Sequence, residues 1–101
     1  MREIDVQELA GNRAGYLLLD VREDEELKIA AIPGTIHIPM GEITRRFGEI
    51  TPDRPIAVLC HHGVRSAQVA AFLTANGLDA FNVAGGIDAW SQRVDPGVRR
   101  Y

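Results

Sequence analysis

The 101-residue sequence has a single cysteine, no long hydrophobic run and no excess of one charge. One cysteine excludes an internal disulfide framework, and the lack of a long apolar stretch excludes a membrane-spanning helix. The 11 Lys plus Arg stand against 14 Asp plus Glu, for a formal net charge of −3, which gives no field that would attract a polyanion. We therefore predict no nucleic-acid partner and no membrane partner and, because no secretory signal pattern is present, a cytoplasmic location.

The composition is that of an ordinary globular domain. Hydrophobic residues make up 46% of the sequence and charged residues 25%, a balance that supports a packed core. The length suits one domain and is too short for two independently folding units. We predict a single domain over residues 1–101, present as a monomer or a weak dimer.

Short apolar runs alternate with amphipathic segments along the chain. Two runs, 16–21 and 55–60, are almost continuously apolar, the pattern of central strands covered on both faces. Strands that alternate with helices predict an α/β fold with a mostly parallel sheet and helices on both faces. The predicted strands are 16–21, 35–38, 55–60 and 80–83, and the predicted helices are 23–30, 40–47, 66–76 and 86–94, after a short first helix near residue 5.

Acidic residues mark two helix starts. Asp5 is a suitable N-cap, and Glu8 stands three residues later, which together form a capping-box signature. The acidic run 23–26 opens the next predicted helix, where negative charge suits the helix dipole. We interpret the acidic run as a solvated helix start and not as a metal or partner site.

The segment Cys-His-His-Gly-Val-Arg-Ser at 60–66 joins a buried strand to the longest predicted helix. Ligand sites in open α/β sheets lie at such carboxyl ends of strands. A loop here would direct backbone N–H groups and the helix N-terminus towards an anion, with the Cys60 sulfur at the focus. In that environment a thiol ionises readily, so we predict that Cys60 is a largely ionised nucleophile at neutral pH. This hypothesis requires a sulfur that bulk water reaches and peptide hydrogens that face it.

The other loop residues suit the same hypothesis. Gly63 permits a tight turn, Arg65 offers a planar fork for an oxyanion, and Ser66 can cap the helix while its hydroxyl faces the sulfur. A lone cysteine can also be a small core residue, but these neighbours favour a reactive one. The predicted substrate-binding residues are His61, His62, Gly63, Val64, Arg65 and Ser66.

Two further chemistries are weighed against this one. Cys60, His61 and His62 resemble metal ligands, yet a structural zinc site needs four ligands, and adjacent residues on a tight loop rarely converge on one ion. We predict no metal and no cofactor. Phosphotyrosine-type phosphatases and arsenate reductases place one residue more between cysteine and arginine than the four between Cys60 and Arg65. The shorter loop favours a persulfide over a phosphoryl group and leaves phosphatase or arsenate reductase activity as a less favoured alternative.

Four elements follow one another along the chain: Leu-Asp-Val-Arg-Glu at 19–23, Ile-Pro-Gly-Thr-Ile-His-Ile-Pro at 32–39, the loop at 60–66, and Val-Ala-Gly-Gly-Ile-Asp-Ala-Trp at 83–90. With these elements the sequence resembles a single-domain rhodanese, a member of the sulfurtransferase family, over nearly its whole length. The resemblance implies a three-layer α/β fold with about five mostly parallel strands. It also implies that Cys60 takes sulfane sulfur from thiosulfate or a protein persulfide and passes it to cyanide, a thiol or a sulfur-carrier protein, while Asp20 and Arg22 support the loop.

The loop of this sequence differs from the family pattern at two positions. His61 and His62 stand where thiosulfate-using members carry Arg and Lys, which leaves Arg65 as the one permanent cation of the loop. We therefore expect thiosulfate to bind weakly and a protein persulfide to be the better donor. The alternative function is a rhodanese module in which turnover is incidental and the loop binds a partner or senses oxidants. Trp90 is predicted to pack in the core, and the tail 99–101 is predicted to be frayed or to lie on the surface.

Overall fold

The computed structural model describes residues 2–101. Its five strands form one sheet in the order β1-β5-β4-β2-β3, and every neighbouring pair is parallel. The predicted α/β fold is confirmed. The strands are β1 (Arg2–Ile4), β2 (Leu17–Asp20), β3 (Ile36–His37), β4 (Ile56–Leu59) and β5 (Ala80–Val83).

The edge strand β1 was not predicted. It has three residues, two of them charged and exposed, and only Ile4 is buried. A segment this short has no hydrophobic period that a sequence pattern could reveal. Its pairing with β5 makes it a strand.

The helices are α1 (Val6–Gly11), α2 (Asp24–Ile29), α3 (Ile43–Arg46), α4 (Val64–Ala75) and α5 (Gly86–Arg93). The predicted helix 40–47 is largely wrong: α3 is one α-helical turn between 3₁₀ turns at Met40–Glu42 and Phe47–Glu49. Glycines at 41 and 48 lower the helix propensity there. No helix within residues 2–101 is long and apolar enough to cross a membrane.

Two helix starts test the capping predictions. The capping box of α1 is confirmed, because the Asp5 side chain accepts a hydrogen bond from the Glu8 N–H at 2.8 Å and Glu8 reciprocates. The predicted cap at Ser66 is wrong. Gly63 occupies the N-cap position of α4 with φ at 99°, a left-handed conformation that favours glycine. The helix therefore begins at Val64, and Ser66 lies inside its first turn.

The sheet separates two hydrophobic cores. Successive side chains of the fully buried strand β4 point to opposite faces, so Ala57 packs in one core with Trp90 and Val58 packs in the other with Leu73. Trp90 is 8% exposed, and its predicted place in the core is confirmed. Helices α5 and α4 thus cover opposite faces of the sheet and form the expected three layers.

Candidate functional site

The predicted loop lies at the carboxyl edge of the sheet, between β4 and α4. Helix α5 begins at the same edge, and its first N–H groups bond to the loop: Ile87 N donates to the Cys60 carbonyl at 2.9 Å and Asp88 N to the His61 carbonyl at 3.1 Å. A side chain on Gly86 would collide with those two carbonyl oxygens. A glycine at position 86 is therefore needed for the close approach of α5 to the loop.

The Cys60 sulfur is enclosed in the protein. The residue is 1% exposed and packs in the core that also holds Val58 and Leu73. Its sulfur lies 3.1 Å from the Gly63 nitrogen, which donates a hydrogen bond, and 3.1 Å from the Ser66 hydroxyl oxygen. The described residues include one backbone N–H within hydrogen-bonding distance of the sulfur, where several were expected.

The expectation of a water-exposed sulfur in a bowl of peptide hydrogens is therefore wrong for this conformation. The reason is that neighbouring elements hold the loop down on both sides. Helix α5 binds the Cys60 and His61 carbonyls, and the Asn82 side chain of β5 donates to the Gly63 carbonyl at 3.1 Å. In this conformation Cys60 exposes almost none of its surface.

Asn82 also connects the loop to strand β1, and sequence reasoning missed it. Its amide nitrogen donates to the Glu3 carboxylate at 2.9 Å, and its amide oxygen accepts from the Ser66 hydroxyl at 2.5 Å. Asn82 is 1% exposed. A signal was available, because a polar amide in the apolar strand Ala-Phe-Asn-Val needs buried partners.

The Arg65 guanidinium is bound by Glu26 of α2. Two hydrogen bonds of 2.6 and 3.0 Å join them side by side. Hydrogen bonds from Arg65, helped by one from Tyr101 and opposed by partial burial, lower the pKa of Glu26 to about 2. The same contact raises the pKa of Arg65 above its ordinary value. Glu26 belongs to the acidic run that was interpreted as a solvated helix start, and for this residue that interpretation is wrong.

Asp20 and Arg22 form a fully buried ion pair next to the loop. Arg22 donates to both Asp20 oxygens, at 3.0 and 2.7 Å, and to the Ala30 carbonyl at 2.8 Å. Burial opposes the charge of Arg22, but its bonds to Asp20 and Tyr101 outweigh burial and raise its pKa. The pair connects the end of β2 to the end of α2. Its effect on sulfur chemistry stays a prediction.

Tyr101 lies on the surface, as one of the two expectations for the tail has it, and it is anchored against the loop and not frayed. Its ring stacks on His61 with centroids 3.8 Å apart and planes 7° apart. Its hydroxyl accepts from Arg22 at 2.9 Å and donates to Glu26 at 2.7 Å. Burial, with the bond to Glu26, raises the pKa of Tyr101 to about 12. The chain end thus joins both ion pairs of the site.

The two loop histidines stack on each other. Their ring centroids lie 3.8 Å apart with planes at 29°, and within the described chain His61 Nε2 is buried without a partner. Burial first, and then the neighbouring His62, lower the pKa of His61. The lowered pKa makes His61 less able to supply positive charge to an anionic substrate.

Within residues 2–101, His61, His62 and Asp88 form a group of potential metal ligands. Their ligand atoms lie within 4.8 Å of one another. Imidazole lone pairs lie in the ring plane, so two nearly parallel stacked rings direct them side by side and not towards one ion. The Asp88 carboxylate already accepts hydrogen bonds from Gln92 and Arg100. This geometry does not suit a metal, and the absence of one stays a prediction.

Comparison with known proteins agrees with this architecture. The family model for the rhodanese-like domain matches residues 5–93. A sulfurtransferase of Allochromatium vinosum is 35% identical over 100 residues, which cover 95% of this chain and 94% of that protein. The thiosulfate sulfurtransferase GlpE of Pseudomonas syringae is 34% identical over 77 residues, covering 75% of this chain and 73% of that one.

A solved structure shows the same fold over the whole chain. The crystal structure of a rhodanese-related protein from Thermoplasma volcanium has a TM-score of 0.92 and 37% identity, with complete coverage of both chains. Some other relatives are longer, and this chain spans only 30% and 43% of two of them. The protein therefore belongs to the rhodanese-like domain family, and its relatives support a sulfurtransferase.

Proposed function

We propose that this protein transfers sulfane sulfur through a persulfide on Cys60. The observation that carries the proposal is the position of the Cys60 sulfur, at the end of the central strand β4 and 3.1 Å from the Gly63 N–H at the start of α4. A backbone donor and a helix N-terminus both stabilise negative charge on sulfur. The chain has no other cysteine, so no second thiol competes for the sulfur.

The reaction is a double displacement. The Cys60 thiolate attacks the outer sulfur of a donor such as thiosulfate, the bond between the two donor sulfurs breaks, and sulfite leaves with its electron pair. Cys60 then carries a persulfide anion. A nucleophilic acceptor such as cyanide or a thiolate attacks the outer sulfur, and the Cys60 thiolate leaves unchanged.

The charges around the loop support a persulfide donor over thiosulfate. Thiosulfate is a dianion, and its recognition needs a free cation. Glu26 already holds the Arg65 guanidinium with two hydrogen bonds, and burial lowers the pKa of His61. A thiol persulfide, presented by a protein or a small molecule, needs no such cation. The acceptors proposed are cyanide, thiols and a sulfur-carrier protein.

The enclosed sulfur requires an opening step. With Cys60 at 1% exposure, the donor reaches the sulfur only after the segment 61–65 lifts. A partner protein that binds the loop could supply the energy for this movement, which again favours a protein donor. A small donor depends on spontaneous opening.

Mass spectrometry of the intact protein tests the proposal. The protein is incubated with thiosulfate, and separately with a glutathione persulfide, and the Cys60→Ser variant is the control. We expect the mass of one added sulfur atom in the parent protein, faster with the persulfide, removable by dithiothreitol and absent in the variant. No added sulfur with either donor would refute the transfer function.

The burial of Cys60 favours a second candidate function. In it the protein is a module that binds a partner or senses oxidants, and sulfur transfer is not its biological role. Complementation of a deletion strain separates the two. If Cys60→Ser restores growth fully, the thiol is dispensable and the module is the better account. A phosphatase is less favoured, because the loop is short and its arginine is engaged by Glu26. A cytoplasmic location and a monomer or weak dimer stay predictions.

A further inference from the structure

The orientation of the Asn82 amide is determined by its neighbours. Its nitrogen lies 3.1 Å from the Gly63 carbonyl and 2.9 Å from the Glu3 carboxylate, and both of these groups can only accept. Rotating the amide by half a turn would bring its oxygen against two other acceptor oxygens. The NH₂ group must therefore face them, and the amide oxygen must face the Ser66 hydroxyl.

This orientation determines where the Ser66 hydroxyl directs its hydrogen. Two oxygens lie 2.5 Å apart, the Ser66 hydroxyl and the Asn82 amide oxygen, and only the hydroxyl carries a hydrogen. A hydroxyl has a single hydrogen to donate. Ser66 donates it to Asn82, so towards the Cys60 sulfur, 3.1 Å away, the hydroxyl oxygen can only accept.

We propose that Asn82 is a positioning residue for sulfur transfer, which holds the Ser66 hydrogen away from Cys60 and so favours the neutral thiol in the enclosed state. In this state the S–H group of Cys60 donates to Ser66. When the thiol loses its proton to solvent in the opened loop, the hydroxyl rotates its hydrogen from Asn82 to the sulfur. Asn82 thus opposes the ionisation of Cys60 in the enclosed state. The inference rests on the proposed role of Cys60.

Charged groups lie next to this arrangement on two elements. Glu3 contacts the Asn82 amide from β1, and Arg65, which precedes Ser66 on α4, is bound by Glu26. Neither group reaches the Ser66 hydroxyl, so the direction of that hydrogen is set by Asn82.

The thiolate absorbance in the ultraviolet measures the outcome directly. Cys60 is the only cysteine, so the difference spectrum between the protein and its Cys60→Ser variant reports one group. In Asn82→Leu we expect the thiolate-to-thiol ratio at pH 7 to rise about fivefold, which corresponds to the net free energy of one neutral hydrogen bond. An unchanged or lower ratio would overturn the proposal.

A double variant separates positioning from a general structural role. In a Ser66→Ala background, Asn82→Leu should leave the ratio unchanged, because no hydroxyl hydrogen remains to redirect. A fivefold rise there as well would show that Asn82 acts by another route. The control Glu3→Ala removes an outer partner of the amide but keeps the bond to Ser66, and we expect less than about a twofold change; a shift as large as that of Asn82→Leu would overturn the proposal.

Ser66→Ala alone keeps the test decisive if Asn82→Leu does not fold. A hydroxyl whose hydrogen is held elsewhere contributes little to the resting thiolate, so we expect a change within about threefold. A fall of about tenfold or more in the thiolate-to-thiol ratio would mean that Ser66 donates to the sulfur in the enclosed state, and it would overturn the proposal. These spectra need no sulfur donor, so their failure is distinguishable from the failure of persulfide formation.

Discussion

Glu26 and Arg65 bind each other side by side, because each terminal nitrogen of the guanidinium donates to a different oxygen of the carboxylate. The cation expected to receive a substrate oxyanion is thus already neutralised by its own chain. The pair also joins α2 to the start of α4, so it fixes one end of the loop that carries Cys60. The choice of donor and the stability of the loop depend on the same contact.

Releasing Arg65 should improve the use of thiosulfate. In Glu26→Gln the negative charge is gone and the guanidinium becomes available to the dianion. We expect the KM for thiosulfate to fall about fivefold with kcat little changed, because the gain is in substrate binding. Steady-state thiocyanate formation measures both constants.

The matched control for this prediction is Glu25→Gln, which removes the same charge from an exposed neighbour on the same helix. It should leave the KM unchanged. A higher KM in Glu26→Gln would contradict the competition between Glu26 and the donor, and would show that the ion pair orients Arg65 productively.

The same pair should make stability depend on acid pH. The pKa of Glu26 falls from an ordinary 4.5 to about 2 in the folded protein. A lowered carboxyl pKa contributes stability that is complete above about pH 4.5 and is lost as pH falls towards 2. With allowance for partial exposure, the contribution is about 2 kcal/mol.

Urea denaturation between pH 2 and 6 should show this contribution. The difference in unfolding free energy between the parent protein and Glu26→Gln is expected to shrink over that window as the carboxylate takes up a proton. A difference that is constant with pH would rule out the ion pair as its source.

Breaking the buried pair of Asp20 and Arg22 should be severe. In Arg22→Met the Asp20 carboxylate loses its counter-ion while both positions remain inaccessible to water. We expect a loss of about 3–5 kcal/mol in unfolding free energy, measured with urea. The double variant Asp20→Leu/Arg22→Met should recover much of it, and a double variant less stable than Arg22→Met would contradict this explanation.

The Tyr101 hydroxyl should contribute measurably to stability. Tyr101→Phe keeps the ring that stacks on His61 but loses the hydrogen bonds to Arg22 and Glu26. We expect a loss of about 1 kcal/mol in unfolding free energy. Tyr16→Phe is the control, since within residues 2–101 the Tyr16 hydroxyl has no hydrogen-bond partner; equal effects of the two changes would show that the anchoring bonds are worth nothing.

The architecture around Cys60 could be predicted because it depends on local patterns. The apolar run before Cys60 predicts a buried strand, and the amphipathic segment after Gly63 predicts a helix. The cysteine is therefore expected at the carboxyl end of that strand. The order of strands and helices then predicts a parallel sheet. The short edge strand β1 lacked such a signal, and over 40–47 the pattern predicted one helix where the chain forms a single α-helical turn between 3₁₀ turns.

The contacts that decide the chemistry of the site are of another kind. Glu26 and Arg65 are 39 residues apart, Ser66 and Asn82 are 16 apart, and Tyr101 meets Glu26 across 75 residues. No periodicity predicts such pairs, because they depend on how the elements pack. The burial of Cys60 has the same origin: α5 and Asn82 hold the loop down, and neither is near it in the sequence.

A single-turnover experiment tests sulfur transfer through Cys60 most directly. The protein is loaded with a persulfide donor, the donor is removed by gel filtration, and cyanide is added while thiocyanate is counted. The account predicts about one thiocyanate per loaded chain, with Cys60 returned to the free thiol, and none from Cys60→Ser. Loaded protein that yields no thiocyanate, or an equal yield from the serine variant, would contradict it.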